Sequence, residues 1–436
     1  MPERIAVVGG GIAGLAAAWW LRGQARVTLF ERHAEPGFVA HSVALPGLPD
    51  GSPRVDVPLR VFYPGYYPTL TRLYDELGVA SEPVSYASSF AGADRQLYFR
   101  YRNLRLGGAS WSYVAPQDLR RRTGRRIALE ALRFRRRAAD ALARGELAGT
   151  GIGEFVAAER FAPEFVQGLL LPAIATVCTC PYEAARRFPA PLVVRYLLQG
   201  LTRQSVRRAR HGADDVARRL VAGFASEGGR GELRCGVAVQ AVLRRMTPLG
   251  GVALRLADGR VETFDHLVLA TQANQALALL EDARPDEVEA LGAFAYRPVR
   301  VTMHRDQALL PARRADWSAV NLHVVPGQDA PESTIWINAV MPALRGASPI
   351  FQTVHPQREP REELVLSEAR FERPVVDAAS ERALQRLTVL HAEANRRIWF
   401  CGSYAQAGIP LLESAVRSAR EVAERLGRPG RRGTNG

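Results

Sequence analysis

The sequence predicts an α/β fold, α+β overall, and three observations lead to this prediction. Residues 4–8, 15–21 and 26–31 have the apolar patterns of a strand, a helix and a second strand, which together form a βαβ unit. Residues 117–222 show helical periodicity interrupted by prolines. Residues 233–270 then alternate apolar and polar positions, as strands do. We therefore expect a parallel-sheet domain assembled from separated segments, with an inserted helical block and a β-sheet domain.

The composition is that of an ordinary globular protein. The chain has 436 residues, of which 47% are apolar and 23% are charged, so it can bury a sizeable core. These values exclude a wholly disordered, collagen-like or small disulfide-stapled protein. The net charge is +14, and every basic residue is arginine. The absence of lysine excludes a lysine Schiff base and a P-loop lysine.

The cysteines and the N-terminus predict a cytoplasmic protein without a bound metal. The four cysteines, Cys178, Cys180, Cys235 and Cys401, lack the spacing of a zinc site, and we expect their thiols to be reduced. The apolar stretch at 5–21 contains four glycines and is not followed by a cleavage site, which is unlike a signal peptide.

A glycine-rich turn follows the first predicted strand. Gly9, Gly11 and Gly14 fit the pattern G-x-G-x-x-G between a strand and a helix. In this motif the first glycine allows a tight turn, the second lets the backbone approach a pyrophosphate, and the third allows close helix–strand packing. Ile12 and Ala13 open the helix, whose N–H groups face the phosphates. The motif predicts a Rossmann-type dinucleotide site that includes these five residues.

An acidic residue ends the second predicted strand. Glu31 lies near the roughly 20-residue spacing at which an acid accepts hydrogen bonds from ribose hydroxyls. A carboxylate at this position disfavours the 2′-phosphate of NADP. We include the neighbouring Arg32 in the predicted cofactor site.

The nucleotide-binding pattern is interrupted and resumes late in the chain. Residues 261–270 lead to Thr271, and Cys401-Gly402-Ser403 precedes a closing helix at 412–426. A simple NAD dehydrogenase would instead continue with alternating strands and helices. The arrangement resembles the flavoprotein superfamily of amine oxidases and phytoene desaturases. This resemblance implies an enzyme, an FAD-dependent oxidoreductase, with FAD bound by segments from both ends of the chain.

Short motifs along nearly the whole chain carry a closer resemblance. Among them are Val55-Asp56, Tyr67-Pro68-Thr69-Leu70, Leu77-Gly78-Val79, Phe188-Pro189-Ala190, and Trp399-Phe400-Cys401-Gly402 with Tyr404. In this order they are similar to FAD-dependent oxidoreductases that also occur as the N-terminal domain of plant cyclopropane fatty-acid synthases. The chain departs from that family where the flavin and substrate would lie, because Ala405 replaces a tryptophan and Ala415 and Ala419 replace glycines.

By position in that family, residues from several further segments would contact FAD. The resemblance implies that His41 contacts the flavin and that the backbone of Val239 binds the adenine side. It also implies that Gly402 and Ser403 approach the ribityl–pyrophosphate part, and that Thr271 belongs to the same site. The start of the last helix, with Glu413, Ala415 and Val416, would direct its N–H groups at the flavin O2. A positive helix end at the flavin stabilises negative charge on its reduced form.

The predicted catalytic and substrate-binding residues are histidine and aromatic side chains. His304 is the general-base candidate by residue type, and Tyr404 follows the flavin-contacting pair directly. Tyr63 and Tyr67, in a loop rich in proline and glycine, and Trp336, on a strand, would line the substrate pocket. For each of these residues, packing in the core or at the surface is the alternative.

Three functions stay open at this point. The first is an FAD enzyme that removes a hydride from a carbon centre of an apolar substrate, such as an acyl lipid or a specialised metabolite. The second is an oxidase of amines or amino acids, although the chain lacks the lysine that positions water at the flavin in usual amine oxidases. The third is an FAD-dependent isomerase, or a binding protein that has lost its activity.

Arginines are concentrated at 120–126, 133–137 and 207–210. A solvated helix face is one interpretation, and contact with an anionic membrane surface, which would suit a lipid substrate, is the other. Nucleic acid is not expected, because neither aromatic platforms nor a groove-reading motif accompany the arginines. The expected partner is a small-molecule or lipid substrate.

The segment order predicts the domain organisation. We expect the FAD-binding domain to comprise residues 1–80, 205–280 and 391–427. A mostly helical block would span 81–204, a β-sheet substrate domain 281–390, and a flexible tail 428–436.

Overall fold

The computed structural model describes residues 2–45, 54–106, 109–200, 205–225, 230–244 and 251–427, so the predicted tail lies outside the described residues. The strands are β1 Arg4–Val8, β2 Arg26–Phe30, β3 Ser81–Pro83, β4 Ser88–Ala91, β5 Leu97–Leu106, β6 Ala109–Tyr113, β7 Arg207–Ala209, β8 Gly231–Arg234, β9 Val239–Arg244, β10 Val252–Leu256, β11 Val261–Phe264, β12 His266–Leu269, β13 Tyr296–His304, β14 Val320–His323, β15 Glu332–Trp336, β16 Phe351–Val354, β17 Val365–Pro374 and β18 Ile398–Phe400. The α-helices are α1 Ile12–Leu21, α2 Pro68–Glu76, α3 Pro116–Leu119, α4 Arg122–Ala143, α5 Ile152–Ala158, α6 Pro163–Phe165, α7 Leu171–Cys178, α8 Tyr182–Arg187, α9 Ala190–Gly200, α10 Gly212–Ala225, α11 Ala273–Leu279, α12 Pro285–Gly292, α13 Ile337–Val340, α14 Ala378–Ala392 and α15 Leu412–Leu426.

A five-stranded parallel sheet forms the nucleotide-binding part of the fold. Its strand order is β18-β12-β1-β2-β8, so the sheet joins segments from both ends and the middle of the chain, as the sequence predicts. One face packs against α1, α10 and α15, and the other against the antiparallel sheet β9–β11 with α11, α12 and α14. Because both faces are covered, the inner strands β1 and β12 are largely apolar.

An eight-stranded sheet forms the second part, in the order β17-β13-β16-β15-β14-β4-β5-β6. The sequence predicts that the block at 81–204 is mostly helical. In the structure its later part forms helices α3 to α9, but its first part forms strands β4 to β6. The difference arises because β4 pairs with β14, a strand more than 200 residues away in sequence. A local pattern does not show that a distant strand will pair with this segment, and that pairing stabilises β4 as a strand.

The helical block packs on one face of the eight-stranded sheet. Its core contains Phe134, Phe155 and Phe165 and reaches Phe90 of β4 and Leu322 of β14. Within the part of the chain that the structure describes, no helix is long and apolar enough to cross a membrane.

A residue of the last helix holds the start of α2. The carboxylate of Glu413 accepts hydrogen bonds from the backbone N–H groups of Thr69, at 3.1 Å, and Leu70, at 2.9 Å. No side chain of α2 caps its own N-terminus. The negative charge therefore satisfies two N–H groups that the helix leaves unpaired and complements the positive end of the helix dipole.

We predict that Glu413→Ala lowers the free energy of unfolding by about 3 kcal/mol, because hydrogen bonds to a charged group each contribute about 1.5–3 kcal/mol. Urea denaturation monitored by circular dichroism measures the change. Glu424→Ala is the control, since Glu424 lies on the same helix and, among the described residues, pairs with Arg420 alone at the surface. Its loss should change stability by about 0.5 kcal/mol or less. Equal effects of the two substitutions would contradict the prediction.

Candidate active site

A cavity of about 920 Å³ lies where the parallel sheet, the eight-stranded sheet and the helical block meet. Its volume is near the upper end of the range of about 300–1,000 Å³ that is usual for ligand sites. Val8 and Phe30, at the carboxyl ends of β1 and β2, form part of its wall. Ligands of open parallel sheets bind at this edge.

The glycine loop forms the floor of one end of the cavity. Gly9 has a φ of +107°, and a Cβ there would lie 2.9 Å from the carbonyl oxygen of Ala270. A Cβ on Gly14 would lie 1.9 Å from the carbonyl oxygen of Gly9, so α1 packs directly on the loop. Gly11 instead faces open space, with nothing within 4 Å of its Cβ position. With Ile12 and Ala13 it lines the cavity, whereas Gly14 lies behind the lining.

Glu31 lines the same end and orders the loop. Its Oε2 accepts a hydrogen bond from the N–H of Gly10 at 2.7 Å, and its Oε1 accepts one from the N–H of His33 at 2.9 Å. The Nδ1 atom of His33 lies 2.7 Å from the same Oε1. No sequence motif pointed to this histidine. Each carboxylate oxygen retains acceptor capacity, and Arg32 is exposed beside it on the cavity wall.

The other predicted cofactor residues divide into two groups. His41, Val239, Thr271, Gly402, Ser403 and Ala415 all line the cavity. Glu413 and Val416 do not: the carboxylate of Glu413 is bonded to α2, and Val416 is fully buried in the core between the helices. For these two positions, side-chain contact with a cofactor is therefore ruled out by the packing. Leu411, the residue before α15, provides no side-chain cap, and the first-turn N–H groups of the helix lie beside Leu412 on the cavity wall.

His304 and Trp336 lie away from the cavity, and the prediction that they act there is wrong. His304 is fully buried, its Nδ1 accepts a hydrogen bond from the N–H of Asp306, and its Nε2 lies 2.7 Å from the hydroxyl oxygen of Thr353. Burial lowers the pKa of the imidazole to about 4. Trp336 packs edge-on against Trp317, with ring centroids 5.6 Å apart. A position on a strand does not indicate which sheet face borders a cavity.

The inner end of the cavity is aromatic. Tyr63 and Tyr67 line it, as predicted, and their rings contact each other at 5.3 Å. Tyr196 of α9, which the sequence did not single out, lies 5.6 Å from Tyr63. Tyr404 lines the cavity on the side of the parallel sheet and packs on Phe294. Burial raises the pKa of these tyrosine hydroxyls, so all four are neutral.

Three comparisons place this geometry among known proteins. Residues 7–77 match the NAD(P)-binding Rossmann-like domain, and no curated protein sequence matches the chain. A CLA-producing fatty acid isomerase from P. acnes superposes with a TM-score of 0.64 at 16% identity, covering 97% of this chain and 98% of that one. Cyclohexylamine oxidase from Brevibacterium oxydans gives 0.62 at 14% identity, covering 98% and 100%. A double mutant of putrescine oxidase gives 0.61 at 13% identity, covering 98% and 100%.

These likenesses establish the fold. The chain shares its overall architecture with these three proteins, and residues 7–77 form a Rossmann-like domain, as the sequence predicts. At 13–16% sequence identity, the reactions and substrates of these proteins are not assigned to this chain.

We predict that Gly11→Val folds but loses its dinucleotide. The backbone of Gly11 has a φ of −68°, which any residue adopts, and a side chain there extends into open cavity space. Binding of FAD, measured by fluorescence titration of the apoprotein, should weaken at least about tenfold, which corresponds to about 1.4 kcal/mol. The control is Gly346→Val, an exposed glycine with equally open surroundings outside the cavity lining. Unchanged FAD affinity of the Gly11 variant would refute the assignment.

Proposed function

We propose that the protein is an FAD-dependent oxidoreductase that removes a hydride from a carbon centre of an apolar substrate. One observation carries the proposal: a single cavity connects the nucleotide-binding loop to an aromatic chamber. A cofactor that begins at the loop would therefore end beside a substrate held by the tyrosines. FAD has the two parts that such an arrangement requires, a dinucleotide and a reactive ring.

The residues along the cavity fit FAD. The open space at Gly11 suits a pyrophosphate, Glu31 offers acceptors to a ribose, and the backbone near Val239 lies at the same end. At the other end, the uncapped start of α15 and the loop at Gly402 offer N–H donors to the flavin. Bound FAD would supply the hydride acceptor.

The chain's own contribution is to position the substrate and exclude water. Among the described residues that line the cavity, the carboxylates are Glu31, at the nucleotide end, and Glu372, whose side chain is exposed. Elsewhere the wall includes the neutral tyrosines, the apolar Phe371 and Ile335, and the cationic Arg373. Such a wall presents no ionised base at the aromatic end, which suits cleavage of a C–H bond by hydride transfer to a positioned acceptor.

Two alternatives differ from this proposal in a measurable way. An isomerase is the second candidate, because the same fold occurs in a fatty acid isomerase and the aromatic, apolar part of this cavity would suit the substrate of either reaction. An amine oxidase is less well supported, because the cavity wall contains the cationic Arg373, whose charge repels a protonated amine.

We predict that an unsaturated acyl compound bleaches the flavin absorption near about 450 nm under anaerobic conditions, whereas putrescine does not, because hydride transfer reduces the flavin. Stopped-flow absorbance measures the change, with product analysis by mass spectrometry. Product formed from the acyl compound without net bleaching would favour the isomerase. Bleaching by the amine, followed by peroxide release in air, would contradict the proposal.

We further propose that the exposed face of α4 binds an anionic membrane. Leu129 and Leu132 are 62% and 66% exposed, and Arg125 and Arg136 lie at helical spacing on the same face. Among the described residues, neither arginine has a carboxylate within 4.0 Å, whereas Arg126, Arg133 and Arg137 are paired. Apolar side chains flanked by unpaired arginines are typical of helices that lie on anionic lipid.

We predict that the protein sediments with phosphatidylglycerol vesicles at low salt and is released at about 0.5 M salt, because screening weakens exposed charge interactions. Replacing Leu129 and Leu132 together with serine should reduce the bound fraction several-fold. Val389→Ser is the matched control, since Val389 is 68% exposed on α14. Absence of binding at low salt, or equal binding to phosphatidylcholine vesicles, would exclude the exposed face of α4 as a site that binds anionic membranes.

A further inference from the structure

Arg373 is a half-buried cation that has no carboxylate partner among the described residues. It lies near the end of β17 and lines the cavity. One guanidinium nitrogen donates a hydrogen bond to the carbonyl oxygen of Pro410 at 3.2 Å. The Nε atom is buried and has no partner, and no described carboxylate lies within 4.0 Å of the side chain. A buried charge is costly unless it is paired, so this group requires a counter-ion.

The arginines that are fully buried in the described part of the chain are all paired. Arg100 lies 3.2 Å from Asp118, and Arg208 lies 2.7 Å from Glu82. Arg396 contacts Glu287 at 3.0 Å and Glu393 at 3.1 Å. The fold thus supplies a carboxylate to these guanidinium groups and leaves Arg373 open in the cavity. The contrast indicates that the missing carboxylate comes from a ligand.

The surroundings of Arg373 restrict the rest of that ligand. Phe371 lies against the guanidinium, with its ring centroid 5.7 Å away, and Tyr67 and Cys178 also face it. The thiol of Cys178 is neutral, because its hydrogen bond with Cys180 and its burial raise its pKa. The hydroxyl of Tyr67 is neutral, because burial raises its pKa. Beyond Tyr67 the wall continues through Tyr63 and Tyr196. A ligand whose charge meets Arg373 would therefore lay an uncharged, apolar body along the tyrosines.

We infer that Arg373 binds the carboxylate of the substrate, so that the substrate is a carboxylic acid with an apolar chain. That the bound acid is the substrate of a reaction rests on the proposed function. That Arg373 binds a carboxylate rests on the cavity alone. A carboxylate carries one negative charge and matches one guanidinium in a bidentate pair. A phosphate monoester carries about 1.5–2 negative charges, more than one guanidinium balances. Arg60 also lines the cavity, but its charge is already paired with Asp56 at 3.7 Å.

Isothermal titration calorimetry of the protein as purified tests this inference with decanoate, decanol and decyl phosphate as probes. We expect decanoate to bind at least about tenfold more tightly than decanol, a difference of about 1.4 kcal/mol, and more tightly than decyl phosphate. Arg373→Gln should weaken decanoate binding at least tenfold and leave decanol binding within twofold. Arg373→Lys keeps the positive charge but lacks the planar guanidinium, so its affinity for decanoate should lie between those of the unchanged protein and of Arg373→Gln. Arg370→Gln is the control, since Arg370 lies on the same strand and is exposed.

The outcomes separate this inference from the proposed function. Decanoate binding that is unchanged in both Arg373 variants would overturn it, and so would tighter binding of decyl phosphate. Loss of flavin from Arg373→Gln but not from Arg370→Gln would also overturn it, because Arg373 would then belong to the cofactor. Arg373-dependent decanoate binding by a protein that contains no flavin would support the carboxylate site and refute the oxidoreductase.

Discussion

The packing of the C-terminal segment on the N-terminal βαβ unit is the constraint on which the site depends. Helix α15 packs against α1, and β18 pairs with β12, next to β1 in the parallel sheet. Glu413 extends this contact to α2 by capping its first turn. The two ends of the chain thereby bring the glycine loop and the start of α15 to one cavity. Neither end forms this site alone, because each supplies donors for a different part of a long cofactor.

The packing of the two chain ends places charged groups at different ends of the cavity. At the nucleotide end, Glu31 is held by the backbone of the glycine loop and by His33. At the aromatic end, burial keeps the tyrosine hydroxyls neutral, and Arg373 has no carboxylate partner among the described residues. One end thus suits the hydroxyls of a ribose, and the other suits an apolar anion. This polarity favours an acid over an amine as the substrate.

Local sequence patterns predicted the parts of the site that depend on backbone geometry. The tight turn at Gly9 and the close approach at Gly14 follow from glycine spacing after a strand, and the structure has both. Patterns failed where the outcome depends on tertiary contacts. His304 has the chemistry of a base, but its strand turns it into a core beside Thr353. Arg373 carries no local signal, since only the final packing shows which of the chain's many arginines lack a carboxylate partner.

The flavin content of the purified protein tests the central claim most directly. The account predicts absorption bands near about 370 and 450 nm and release of about one FAD per chain on denaturation, because one cavity holds the whole dinucleotide. A colourless protein that remains colourless after incubation with FAD would contradict the account. The cavity would then serve another nucleotide, and hydride transfer to a flavin would no longer explain its aromatic end.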